Sequence, residues 1–208
     1  DIIIPDKVEL DAIFETIVRD KGFTRFELQE RKAISNIEKA HYKFHYVPAH
    51  KTAQAEEYVL LDILFEKSQY QQINSIDIDS TFVFQKGSPL QVQVPGFDDI
   101  MGDKLTAFAP NTTGIPYEKG GQSRAMEIIK QLYDIGNIFI DVKNPSVTST
   151  TFHAFAKTEL GYRDISGETN IVLDDIIDTS LTISTRGQLG GGKLDALMHG
   201  IAQLKQYI

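Results

Sequence analysis

The sequence has no cysteine, which excludes disulfides, thiolate metal sites and cysteine nucleophiles and is in keeping with a reducing compartment. No run of about 18 apolar residues occurs, so no membrane-spanning helix is expected. Positive charge is in deficit: 21 Lys and Arg against 29 Asp and Glu give a net charge of −8, and no global attraction to nucleic acid is expected. Internal repeats and low-complexity tracts are absent. Neither an initiating Met nor a signal peptide is visible, and Ile2-Ile3-Ile4 is cut off at once by Pro5. The chain therefore reads as a fragment or processed product whose beginning lies elsewhere, and as cytoplasmic.

What is present is an ordinary globular composition over 208 residues, 41% apolar and 24% charged, enough for a substantial core. The first half reads α/β. Ile2–Ile4 is a short strand. Val8, Ala12, Ile13, Ile17 and Val18 predict a helix over Lys7–Lys21, stopped by Gly22. Phe23–Leu28 is a strand. His41–Val47 alternates, with Tyr42, Phe44 and Tyr46 on one face and His41, Lys43 and His45 on the other. Tyr58–Phe65 is almost wholly apolar and reads as a central strand buried on both faces. Further strands are expected near Phe82–Phe84 and Leu90–Val94. Beyond Pro95 the pattern turns helical: Asp98–Phe108, then a stiff Pro110–Pro116 loop, then a helix over Gln122–Ile140 with Met126, Ile129, Leu132, Tyr133, Gly136 and Phe139 inward. Pro145–Leu160, Asn170–Thr179 and Leu194–Tyr207 complete the set. The predicted class is α+β: a mixed sheet with flanking helices, followed by an all-helical C-terminal half.

Several side chains stand out. Asp62 interrupts the Tyr58–Phe65 strand, where an unpaired carboxylate costs several kcal/mol; it either points to water at the strand end or holds a cation. Lys130 and Asp134 lie one helical turn apart and by themselves make an ordinary ion pair; Lys104, on the preceding helix, reads as solvated. Asp77-Ile78-Asp79 mimics a metal-binding pair but has no Gly-Ser turn before it, so exposed strand or turn is the reading. Gly187–Lys193 satisfies G-x-x-x-x-G-K, yet Leu194 stands where magnesium needs Ser or Thr, and no βαβ frame surrounds it; a hinge before the last helix is expected. His41 and His45 on a strand are too far apart to share zinc. Arg25, Arg31, Lys32, Lys39, Lys43 and Lys51 stand against Glu27, Glu30 and Glu38, making 25–51 the one strip suited to a polyanion, with plain solvated surface as the ordinary reading of such a strip.

The segment from Gly102-Asp-Lys-Leu-Thr-Ala-Phe to Pro116, followed by Lys130-Gln-Leu-Tyr-Asp-Ile135, resembles the AbiEii/AbiGii toxin family of nucleotidyltransferases, with its Lys-Leu-x-Ala helix and Arg-Asp-x-x-Asp-[Leu/Ile] helix. Tyr58–Phe65 is similar to the strand carrying that family's third carboxylate, and Asp1–Pro5 to the tail of its Asp-x-Asp strand, with Asp1 as the second aspartate. The resemblance covers about residues 1–140. It departs in three places: the Gly-rich triphosphate turn and the first aspartate would lie upstream of Asp1, and Lys130-Gln131 replaces Arg-Asp, keeping charge but losing bidentate geometry and one carboxylate.

The resemblance implies a nucleotidyltransferase-like α/β part over 1–95, its start missing, and a helical part over 96–208. It implies transfer of a nucleotide from a nucleoside triphosphate to an RNA or protein acceptor by the toxin of a toxin–antitoxin pair, with an antitoxin as partner. Asp1 and Asp62 would hold Mg²⁺ or Mn²⁺ on neighbouring strands, and Lys104 and Lys130 would neutralise the triphosphate. Asp134 would hold one of those lysines or act on the acceptor. The alternative is a catalytically incomplete remnant that binds nucleotide or a partner; a third class is an interaction protein built on the helical half. Nothing in 141–208 resembles a known motif.

Overall fold

The computed structural model describes residues 2–6, 8–29, 39–50, 55–81 and 87–207. The chain divides into two compact units, Asp1–Ser68 and Gln69–Ile208, each taken by itself below.

The first unit is a four-stranded mixed sheet with one helix. Its elements are β1 (Ile2–Ile4), α1 (Asp11–Lys21), β2 (Arg25–Leu28), β3 (Lys39–Tyr46) and β4 (Glu57–Phe65). The strand order is β1-β4-β3-β2. β1 runs parallel to β4, Ile2 opposite Ile63, while β3 is antiparallel to both β4 and β2. Alternation along β3 divides the sheet as expected. Tyr42 and Phe44 face α1, where Phe14 is 3% exposed and meets Phe26, Tyr42 and Phe44 edge-on at 5.3, 4.7 and 5.1 Å. Leu10, Ile17, Val18 and Ile63 join the same core.

Two expectations for this unit are corrected. The helix begins at Asp11, not Lys7; it buries Phe14 and partly buries Ile17 and Val18, Leu10 just before it is buried too, and Val8 and Ile13 are exposed. The aromatic Phe14, which has three ring partners on the sheet, sets the helix rotation in place of Ile13. β4 is central but not buried on both faces: Tyr58, Val59 and Leu60 are about half exposed. Of these only Val59 shares the α1 face with Leu61 and Ile63, whereas Tyr58 and Leu60 share the opposite face with Asp62.

The second unit starts with an antiparallel ribbon, β5 (Ile73–Asp77) and β6 (Gln91–Pro95). β5 was not foreseen; its residues are exposed and carry little apolar signal. The expected strand at Phe82–Phe84 lies outside the described residues. Then come α2 (Phe97–Ala107), a small hairpin of β7 (Glu118–Lys119) and β8 (Gln122–Ser123), α3 (Ala125–Phe139), α4 (Pro145–Tyr162), α5 (Asn170–Ser184) and α6 (Leu194–Leu204). The C-terminal half is thus mostly, not wholly, helical. Gly120 and Gly121 both have positive φ, 61° and 74°, the backbone a two-residue hairpin turn requires, so the helix expected from Gln122 starts at Ala125. Its inward face is Ala125, Ile128 and Ile129 with Leu132 and Ile135, against α6; Tyr133 and Phe139 are exposed. The residues from Leu181 to Ser184 continue α5, and Thr185 caps it.

Helix α2 is fixed more tightly than its apolar content requires. Asp99 is fully buried, yet its carboxylate accepts the backbone N–H groups of Gln71 and Gln72 at 2.8 and 2.9 Å and the Thr151 hydroxyl at 2.5 Å. A buried carboxylate so satisfied ties α2 to both the preceding chain and α4. Three residues on, a Cβ at Gly102 would stand 2.6 Å from the Thr148 carbonyl oxygen and 2.8 Å from the Phe152 nitrogen. Neither backbone atom can retreat without moving α4. Gly102→Ala should therefore lower stability by about 1–3 kcal/mol, although alanine is the better helix former; denaturant unfolding measures this, and an unchanged midpoint would contradict the close helix crossing.

Candidate active site

Lys104 lies in the last turn of α2, two residues beyond Gly102, and reaches across to α3. Its Nζ donates to Asp134 Oδ2 at 3.0 Å and to Gln131 Oε1 at 3.3 Å. The same Oδ2 accepts from Lys130 Nζ at 2.8 Å. The two lysines and the aspartate are therefore gathered at one point, two from α3 by their i,i+4 spacing and one from α2 by helix packing. The Lys104–Asp134 contact is not legible in spacing along the chain. Asp134 is the least exposed of the three, at 22%, with Lys104 at 30% and Lys130 at 54%. Gln131, which stands in place of an aspartate of the resembled motif, contributes a neutral oxygen. Two ammonium groups thus share one carboxylate, and the cluster keeps a net positive charge.

The Pro110–Pro116 loop behind α2 is rigid for identifiable reasons. Asp175 of α5 is buried and accepts the Asn111 backbone N–H, the Asn111 amide and the Thr112 hydroxyl, each at 2.8 Å. The Thr113 hydroxyl donates to the Thr106 carbonyl at 2.7 Å. Sequence reasoning passed over Asp175 and Asp99. For Asp175 a signal existed: it falls in the inward series Val172, Asp175, Thr179, Thr182 of α5, where a carboxylate must have partners.

Asp62, in the first unit, does not point unpaired into an apolar strand. It sits directly opposite His41 in the β3–β4 register, and the His41 ring Nδ1 lies 2.6 Å from Asp62 Oδ1. His41 was weighed only as a zinc ligand with His45, not as the partner of Asp62; the pairing follows from strand register, which spacing does not give. Asp1 lies outside the described residues. Asp62 offers the oxygen donor a hard divalent cation prefers, but such a cation takes about six oxygens. Among the described residues no group of three or more His, Cys, Asp or Glu side chains is gathered to hold a metal, so these residues do not by themselves build a metal centre.

The remaining candidates resolve structurally. Asp77 closes β5 and accepts from Gln91 Nε2 at 3.1 Å. The Gly187–Lys193 loop follows a helix, not a strand, and its amide groups are spent on the protein itself: Gly191 N–H on Asp178 and Gly192 N–H on Thr182 Oγ1. In the basic strip, Arg25 is paired with Glu27 and Glu56, and Lys43 lies over the Tyr58 ring at 4.4 Å; Arg31, Lys32 and Lys51 lie outside the described residues. No helix among the described residues is long and apolar enough to cross a membrane.

Burial raises the Asp134 carboxyl, but the hydrogen bonds from Lys130 and Lys104, with their charges, outweigh it and hold the group below its ordinary value. A carboxyl depressed on folding contributes stability above its ordinary pKa and loses that contribution as pH falls through the folded value. Wild type should therefore exceed Asp134→Asn in melting temperature at pH 7, with the gap closing as pH falls below about 4. A gap independent of pH would mean that packing, not charge, is what Asp134 supplies.

Comparison with known families gives one result at this point: the family described as nucleotidyl transferase AbiEii toxin, type IV TA system, matches residues 4–196, nearly the whole chain. No curated protein and no solved structure matches it.

Proposed function

The chain belongs to the AbiEii nucleotidyl transferase toxin family of type IV toxin–antitoxin systems, and on that premise we propose that it moves a nucleotide from a nucleoside triphosphate to a hydroxyl of an RNA or protein acceptor and is opposed by an antitoxin. In that reaction the acceptor hydroxyl gives up its proton to solvent and its oxygen bonds to the α-phosphorus, while the bond from that phosphorus to the α,β-bridging oxygen breaks and pyrophosphate leaves with that oxygen. The observation that carries the reading is the convergence of Lys104 and Lys130 on Asp134. A triphosphate needs cations held in place before it arrives, so that no reorganisation is required as charge builds on the leaving group. Asp134 holds both amines without cancelling both charges.

Within the proposal, Lys104 and Lys130 bind the phosphates and Asp134 positions them, with Gln131 steadying Lys104 from the neutral side. Asp62, together with Asp1, is the carboxylate set assigned to Mg²⁺ or Mn²⁺, which when bound supplies neutralisation of phosphate charge.

Incubation with each α-labelled nucleoside triphosphate, a divalent cation and total RNA or protein should give label transfer with release of pyrophosphate. Lys104→Ala and Asp62→Asn should each lower the rate by about a hundredfold or more, while Lys104→Ala stays within about 1 kcal/mol of wild-type stability, since the pair it loses is partly exposed. A Lys104→Ala protein that transfers label at the wild-type rate would sink the assignment of the lysine cluster. Binding of triphosphate with no pyrophosphate released under any condition would leave only the incomplete-remnant reading.

A further inference from the structure

We propose that His41 is a positioning residue for Asp62, holding one oxygen of that carboxylate so that the other is presented in a fixed direction. The inference rests on the reading of Asp62 as a site carboxylate and names a residue that neither the motifs nor the family match picks out.

The geometry is specific. His41 on β3 and Asp62 on β4 are direct cross-strand partners, so both side chains rise from the same face of the sheet. The Nδ1···Oδ1 distance of 2.6 Å is short for a nitrogen–oxygen hydrogen bond. An ionised carboxylate only accepts, so Nδ1 carries the proton and the ring has one defined orientation. His41 is the less exposed of the two, its side chain 18% exposed against 37% for Asp62. A carboxylate on a strand needs such a partner because its terminal torsion is broad and nearly two-fold. A one-residue slip of β3 would send His41 to the other face, and the Phe14 core on that face fixes the register.

The choice of an imidazole matters. Lys43, two residues along on the same face, is engaged over the Tyr58 ring and not on Asp62. A lysine partner would set a full positive charge against the carboxylate. An imidazole is instead a rigid ring, and its Nδ1 gives Asp62 one directed contact.

The test compares His41→Leu, which removes the donor, with His41→Asn, whose amide nitrogen can take the place of Nδ1. With the full chain and the most reactive nucleoside triphosphate, His41→Leu should lower kcat about tenfold to a hundredfold and leave KM for the triphosphate unchanged, because the lysines that bind it are untouched. His41→Asn should recover most of the loss. Independently of activity, ¹⁵N spectra of wild type should show the His41 ring protonated at Nδ1, and Asp62→Ala should abolish that preference. If His41→Leu keeps wild-type kcat while Asp62→Asn is inactive, the positioning role is wrong and the proposed function stands. If Asp62→Asn is itself fully active, the site reading fails and takes this inference with it. A wild-type ring with a bare Nδ1 would overturn the inference even if the Leu variant does not fold.

Discussion

The anchoring of α2 is the constraint from which the lysine cluster follows. Lys104 reaches Asp134 only because the last turn of α2 is held at a set rotation and depth against α3 and α4. Two features do this: the buried Asp99 carboxylate, which ties α2 to the Gln71–Gln72 backbone and to Thr151, and Gly102, which lets α4 approach to backbone contact. Two residues separate the helix crossing at Gly102 from Lys104, so the packing and the proposed chemistry share the same short segment. This explains in physical terms why a Gly-Asp-Lys-Leu run belongs together: the glycine sets the helix, and the lysine uses where the helix is.

Carboxylates do much of the structural organisation in this acidic chain. Asp98 accepts the backbone N–H groups of Lys143 and Asn144 ahead of α4. Asp99 does so for Gln71 and Gln72, Asp175 for Asn111, and Asp178 for Gly191. Each satisfies amide groups that regular secondary structure leaves unpaired, where an unmet donor costs about 1–3 kcal/mol. Asp134 differs in kind. Its partners are two ammonium groups instead of backbone amides, and that difference, not burial or acidity, separates a candidate functional carboxylate from the structural ones.

The sheet of the first unit has the same division of labour by face. Tyr42, Phe44 and Ile63 turn toward α1 and build the core; His41, Lys43, His45 and Asp62 turn the other way, where they make hydrogen-bond, ring-to-cation and ring-to-ring contacts. Stability and chemistry are carried by alternate residues of the same strands, so the core that fixes the register also fixes which polar groups meet.

Much of this was legible in the chain alone. Period-two alternation along His41–Val47 assigned both faces of β3, helical periodicity found α2 to α6 to within a few residues, and the Lys-Leu-x-Ala and Lys-x-x-x-Asp runs led to the family that the whole-chain comparison then showed. What the sequence could not supply was contact between residues far apart in it. That Lys104 joins Lys130 on Asp134, that His41 meets Asp62, and that Asp99 and Asp175 are buried organisers each depends on helix crossing or strand register. Local periodicity tells which face a residue occupies. Only the packing of one element on another, set by where a glycine admits a backbone and where an aromatic ring fills the core, decides which residue of the facing element it meets.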